Sequence, residues 1–408
     1  MAATASSRSL FGRRPRAAAS GSPRDGFDYL PAEDVYLDSA CQTLRPRPVI
    51  DALTTYYTEY GACGDRVRYA WGRRVEAEVA ATRERVLSAF GLSARRYACA
   101  FTLNTTYALN LLLQQLPAGR YARIVTTHTE HNAVFVSTMT AARRLGIPRT
   151  VLDRAADGAV DTAGLDVTDA VVVMSAMDNV TGTFTPQLAE LVADVQRRGG
   201  IVIVDAAQAA AHALSRLRGV TADAICFSAH KMYGPSLGVV VATSDLLTSL
   251  EASFLGGGQV SAVTAEEFTL RDEPYTRLEP GLQAWGEIIA FGAALDWLMP
   301  RLEAIEASET RLSQRLFDGL ADMPHLTLFN TAAAPVISFA PERVGAHRLA
   351  VFLSQAGVMV RSGHFCAHHW LADRLGLDAL VRFSVGAHTT PDDVDRALEV
   401  TARMMRGL

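Results

Sequence analysis

The 408-residue chain has almost no lysine: of its 39 basic residues, all but Lys231 are arginine. Arginine carries the surface charge here. A lysine is needed only where chemistry calls for an amine that can lose its proton and attack a carbonyl. Cysteine is scarce too, at five residues with no CxxC pair. That excludes a disulfide scaffold and a zinc ribbon, and makes a reduced, cytoplasmic setting the expectation. No stretch reaches the roughly 18 unbroken apolar residues of a membrane span. Nor does one sign of charge dominate, with 39 basic against 43 acidic residues and a net charge of −4. That balance argues against nucleic acid or a membrane as a partner.

What remains is ordinary globular composition, 49% hydrophobic and 20% charged, enough for roughly two to three domains. Residues 1–26 are rich in Ala, Ser and Arg, with no acid before Asp25. Such an extension fits either an organelle transit peptide, which would make the protein organellar, or a disordered tail. Residues 27–45 read as an N-terminal segment packing near the second domain. From about residue 46, short apolar runs read as buried strands: Ala98–Thr102, Arg123–Thr127, Val171–Ser175, Ile201–Asp205, Ala224–Ser228 and Gly238–Ala242. Helices Tyr107–Leu116, Ala133–Leu145 and Pro186–Arg198 lie between the first four. The rhythm predicts a large α/β domain over 46–295, its mainly parallel sheet covered on both faces. Residues Ala284 to about Leu320 read as one or two long helices. Strand Pro335–Phe339, helix Ala346–Ala356, strands Val358–Arg361 and Val381–Val385 and helix Pro391–Met405 then predict a small α+β domain over 296–408.

Parallel α/β sheets bind ligands beyond the carboxyl ends of their strands, so the residues after each strand are the candidates. Thr102 is followed by Asn104-Thr105-Thr106 and a helix start, either an anion cradle or a plain N-cap. Thr127 is followed by Glu130-His131-Asn132, and Ser175 by Asp178-Asn179-Val180-Thr181-Gly182, by itself a turn signal. The apolar run Ile201–Val204 leads straight into Asp205, with Gln208 beyond. A carboxylate there needs a cationic or proton-donating partner. Phe227 is followed by Ser228-Ala229-His230-Lys231. Together these put an anion site, an aromatic ring, an acid and a unique amine at one sheet edge. Pyridoxal phosphate asks for that set: an amine to condense with its aldehyde, and a carboxylate to keep the pyridine nitrogen protonated so that the ring is an electron sink. A helix N-terminus suits its phosphate, and a flat side chain stacks on its ring.

The string Ser228-Ala229-His230-Lys231-Met232-Tyr233-Gly234-Pro235 resembles the lysine motif of the class V aminotransferase family, in its cysteine desulfurase/selenocysteine lyase branch. Thr129-Glu130-His131, Asp205-Ala206-Ala207-Gln208 and Arg361-Ser362-Gly363-His364-Phe365-Cys366-Ala367 match the same branch in the same order, over about residues 34–405. The resemblance implies a fold type I pyridoxal-phosphate homodimer with active sites at the dimer interface. It implies that Lys231 is the cofactor lysine, Asp205 the pyridinium partner and His131 the stacking ring. Gln208 corresponds to the ring-hydroxyl contact, and Thr105, Thr106, Ser228 and His230 to phosphate ligands. Asn179 faces substrate and cofactor, Arg382 grips the substrate carboxylate, and Arg361 and His364 join them on the substrate wall. Cys366 corresponds to the sulfur-accepting thiol, with Arg361, His364, His368 and His369 placed to tune it or move protons. No metal site is expected, because alternate residues around Cys366 point apart. Cys41, Cys63, Cys99 and Cys226 read as small buried fillers.

The implied reaction is cleavage of the C–S bond of L-cysteine or selenocysteine, with a sulfur-acceptor protein as candidate partner. The alternatives are a C–S β-lyase on an S-substituted cysteine, or an aminotransferase or epimerase on the same scaffold. The chain departs from the family at Leu282 and Ala284, where Thr and Asn are usual, and Leu282 cannot donate the cross-dimer phosphate contact that the Thr would make. Gln283 or the Gly256–Gly258 backbone are candidate replacements. Gly64–Trp71 lacks expected histidines, and Ala387-His388-Thr389-Thr390 is also unusual.

Overall fold

The computed structural model describes residues 24–65 and 67–407. Most of the expected extension 1–26 lies outside them. Its last residues turn back on the body, where Arg24 Nη2 donates to Asp393 Oδ1 at 2.7 Å.

Seven strands form the main sheet: β1 (Tyr97–Thr102), β2 (Arg123–Thr127), β3 (Arg149–Leu152), β4 (Ala170–Ser175), β5 (Ile201–Asp205), β6 (Ala224–Ser228) and β7 (Gly238–Thr243). Their spatial order is β1-β7-β6-β5-β4-β2-β3. β7 runs antiparallel to both of its neighbours, β1 and β6; the remaining pairings are parallel. The central strands β4, β5, β6 and β7 are almost wholly apolar because both faces are covered. Val172, Val202, Val204, Phe227 and Val239 enter one core, while Val171, Val173, Ile203, Cys226 and Val240 enter the other, as a period of two requires.

Helices α1 (Arg47–Glu59), α2 (Ala70–Phe90) and α5 (Leu188–Arg197) lie on the first face. Helices α3 (Thr105–Gln114) and α4 (Asn132–Leu145) lie on the second. The expected pair of long helices is α6 (Trp285–Leu298) and α7 (Leu302–Ala321), broken around Pro300, whose ring cannot continue an α-helical ladder.

A four-stranded antiparallel sheet follows, β8 (Leu326–Leu328), β9 (Val336–Pro341), β10 (Arg361–Gly363) and β11 (Leu380–Ser384), in the order β8-β9-β11-β10. It packs with α8 (Ala346–Gln355) and α9 (Pro391–Gly407) in a separate core. Two expectations are corrected. Strand β3 is an addition to the expected set. The run Val358–Arg361 is not one strand: Val358–Met359 pairs with Val35–Tyr36 from the N-terminal segment, and Arg361 starts β10 beside β11.

Candidate active site

Every parallel strand, and β1 with them, ends at the same sheet edge. A cavity of about 690 Å³ opens there. Its lining includes Thr105, Thr106, His131, Asn179, Asp205, Gln208, Ser228, His230, Lys231, Arg361, Cys366 and Arg382. Of the site residues expected from the sequence, His364, His368 and His369 stay out of the lining. His364 Nε2 lies 3.0 Å from the Leu377 carbonyl, which corrects its assignment to the substrate wall. His368 and His369 are also engaged elsewhere, with Asn132 (3.0 Å) and His128 (2.9 Å).

The helix start after β1 begins two residues earlier than expected. Asn104 is its N-cap, accepting the Tyr107 N–H at 2.9 Å. Thr105 and Thr106 therefore occupy the first turn, where helix N–H groups favour an anion. Ser228 braces the turn: the Thr105 N–H donates to Ser228 Oγ at 2.9 Å, and the two hydroxyls lie 2.6 Å apart. Gly238 makes this approach possible. A Cβ there would fall 2.2 Å from Thr102 Oγ1 and 2.6 Å from Asn104 N.

Beside His131 in the chain stands Glu130, a residue to which the sequence pattern gives no role of its own. Glu130 is 1% exposed and takes an ion pair from Arg154 at 3.0 Å and the Ser175 N–H at 2.9 Å. His131 caps α4, with Nδ1 accepting the Ala133 N–H at 3.0 Å. That assigns the ring proton to Nε2. Burial, then Lys231 and Arg382, push its pKa down to about 3, so it stays neutral.

Asp205 is 4% exposed and accepts the Ala207 N–H at 2.9 Å. Burial pushes its pKa up to about 6; that hydrogen bond and Lys231 pull the other way. Lys231 faces the cavity but is enclosed by protein, and burial lowers its pKa; Asp205 opposes the shift and Arg382 adds to it. Burial also pushes His230 down to about 4.

Arg382, 3% exposed on β11, donates Nη1 to the Asn179 carbonyl at 2.8 Å and Nη2 to Asp38 at 3.4 Å, leaving Nε without a partner. Asp38 is a site residue that no local motif announces. It also pairs with Arg361 at 3.4 Å, yet burial still raises its pKa. Cys366 sits on a tight loop in which both it (φ 57°) and Phe365 (φ 49°) are left-handed. The Asn132 N–H donates to the Cys366 carbonyl and Asn179 Nδ2 to the Phe365 carbonyl, both at 2.6 Å.

The remaining cysteines correct the filler reading in part. Cys99 and Cys226 are buried, but Cys63 is exposed and Cys41 lines the cavity, where Arg361 Nη2 donates to its sulfur. Leu282 is 76% exposed, and Gln283 Nε2 turns back to the Gly281 carbonyl at 3.2 Å. His388 is buried, with Nε2 2.9 Å from the Tyr36 carbonyl.

The donor set fits pyridoxal phosphate. Gln208 Oε1 and His230 Nδ1 are buried without partners. Their residues line one cavity with a helix N-terminal turn suited to an anion, the Asp205 carboxylate and the Lys231 amine.

Residues 35–397 match the family model for aminotransferase class-V. The chain belongs to that family. Among its relatives, a probable cysteine desulfurase of Haemophilus influenzae is 31% identical over 385 residues, covering 91% of this chain and 86% of the relative. A cysteine desulfurase of Pectobacterium atrosepticum is 31% identical over 387 residues, covering 91% and 93%. An apo structure of a cysteine desulfurase from Thermococcus onnurineus superposes with a TM-score of 0.87 at 27% identity, covering 96% of this chain and all of that one. The expected architecture, a large mainly parallel α/β domain with a small α+β domain, agrees with this likeness.

Proposed function

We propose that this chain is a pyridoxal-phosphate-dependent cysteine desulfurase, which cleaves the C–S bond of L-cysteine to leave alanine and a persulfide on Cys366. The observation that carries the reading is a single cavity lined by Lys231, Asp205, His131, Arg382 and the Cys366 thiol. Relatives named cysteine desulfurase that align over some 90% of the chain support it.

When bound, pyridoxal phosphate supplies an electron sink for charge at the α-carbon of an amino acid. Thr105, Thr106, Ser228 and His230 are the groups for its phosphate, Asp205 for its ring nitrogen and Gln208 for its ring hydroxyl. His131 offers a neutral flat ring. The Lys231 amine is the base that takes and returns protons, and burial favours its neutral form. Arg382 and Arg361 orient the substrate carboxylate, with Asn179 beside them. The Cys366 thiolate attacks the substrate sulfur. The new S–S bond forms as the C–S bond breaks, and the electron pair left on carbon takes a proton to complete alanine.

The deciding experiment measures alanine and sulfide from L-cysteine, under reductant, for wild type and Cys366→Ala. A loss of at least about 100-fold, about 2.7 kcal/mol of transition-state stabilisation, supports the reading. Equal activity, or no activity with the cofactor bound, refutes it and redirects the search to S-substituted cysteines.

We further assign residues 46–295 to a cofactor-binding domain and 296–408 to a smaller one carrying the Cys366 loop, with 27–45 bridging them. Separate hydrophobic cores support the division. A homodimer is supported by exposed Phe254, Val263, Phe268 and Leu282 on neighbouring segments of one surface. Five free thiols favour the reducing cytoplasm. A sulfur-acceptor protein is the natural consumer of a Cys366 persulfide. Among the described residues, no helix is long and apolar enough to cross a membrane.

A further inference from the structure

The cavity holds two thiols. Cys366 enters from the loop after β10, and Cys41 from the N-terminal segment on another side. Both line the same cavity as Lys231. The position of Cys41 is well braced. Its N–H donates to the Asp38 carbonyl at 3.0 Å. The preceding Ala40 gives its N–H to Ser384 Oγ at 2.8 Å and takes Gln208 Nε2 on its carbonyl at 2.7 Å. The Arg361 guanidinium, itself paired with Asp38, donates to the Cys41 sulfur. The neighbouring Arg382 is 3% exposed and keeps an unpartnered Nε in the same cavity. Two guanidiniums thus line the cavity that both thiols line, where an anionic sulfur group would find donors.

We propose that Cys41 is a second sulfur-carrying residue, which takes the outer sulfur from a Cys366 persulfide inside the cavity. The proposal rests on the desulfurase reading. The Cys41 thiolate attacks the terminal sulfur of Cys366–S–SH. The Cys41–S bond forms as the Cys366 S–S bond breaks, and its electron pair leaves on the Cys366 sulfur. The proton given up by Cys41 ends on Cys366. The products are Cys41–S–SH and a free Cys366 thiol, with no oxidant or reductant consumed. Cys366 is then free for a second turnover while the first sulfur waits under Arg361. The enzyme stores two sulfurs per subunit, and an acceptor that arrives late still finds a loaded site.

The test is a rapid-quench burst with the full-length holoenzyme, excess L-cysteine, and neither reductant nor acceptor. Wild type releases about two alanines per subunit in the burst, and Cys41→Ser or Cys41→Ala about one, because each free thiol takes one sulfur. Retention of the cofactor absorbance by the variants checks that the site is folded. Peptide mapping after alkylation must also find one added sulfur atom on Cys41 in wild type, and none there in Cys366→Ala. A single-alanine burst in wild type overturns the proposal. So does an undiminished double burst in both Cys41 variants, which would mean that the second sulfur stacks on Cys366. No alanine at all from cofactor-loaded wild type refutes the desulfurase reading instead.

Discussion

Replacing Asp205 by an asparagine gives a measurement whose size can be worked out in advance. In the cofactor-free chain this carboxylate is 4% exposed, and its pKa is pushed up from 3.8 to about 6. The unfolded chain releases the proton near 3.8 and the folded chain holds it until about 6. Within that window the folded state binds more protons, so stability falls as pH rises, and the loss is complete above about pH 6. The gap corresponds to about 3 kcal/mol at pH 8 and about 1 kcal/mol at pH 4.5. The amide introduced by Asp205→Asn does not titrate. The stability of this variant relative to wild type should therefore improve by about 2 kcal/mol between pH 4.5 and pH 8. Urea unfolding of the two cofactor-free proteins at both pH values reads this directly. An equal difference at both would refute the claim that burial burdens this carboxylate. The same variant should bind pyridoxal phosphate more weakly, since a neutral amide holds a protonated ring nitrogen poorly, so one substitution moves apo stability and cofactor affinity in opposite directions.

Three further outcomes are expected. Arg382→Lys, which loses the planar fork beside Asn179 and Asp38, should lower kcat/KM for L-cysteine roughly 10- to 100-fold, the worth of a charged hydrogen bond or two; an unchanged value would separate Arg382 from the substrate. Gly238→Ala drives a methyl into Thr102 and Asn104; titration should show weaker cofactor binding, and unfolding a loss of about 1–3 kcal/mol. Arg154→Met strands the Glu130 charge in the interior and should cost about 3–5 kcal/mol in urea unfolding, most of it recovered when Glu130→Gln is added.

The sheet is legible in the sequence because burial on two faces writes each central strand as an almost wholly apolar run, as in Val171–Ser175. The run Arg149–Leu152 escapes because it is a four-residue edge strand with Arg and Thr in it, only half-buried throughout. Lys231 and Asp205 stand out by rarity and by context, one as the single lysine and the other as an acid closing an apolar strand. Asp38 and Cys41 carry no such local mark. What places them in the site is the pairing of Val35–Tyr36 with Val358–Met359, a contact between distant parts of the chain. Nearness to Cys366 in sequence points His364 at the substrate wall. The left-handed residues at 365 and 366 reverse the chain between them, so one side chain turns into the cavity and the other toward Leu377.

The bridge between Asp38 and Arg382 spans 344 residues of sequence. On a ribosome working at about 5–20 residues per second, ~17–70 s pass between the synthesis of one partner and the other. Ser384, which holds the segment around Cys41, is made only after that interval, by which time every strand of the main sheet has been made. The amine and the carboxylate of the sheet edge are therefore present on the nascent chain well before the wall that holds either thiol is complete. The stretch from β11 onward is thus the last part of the site to be synthesised, and Arg382 and Ser384, which brace the segment around Cys41, come with it.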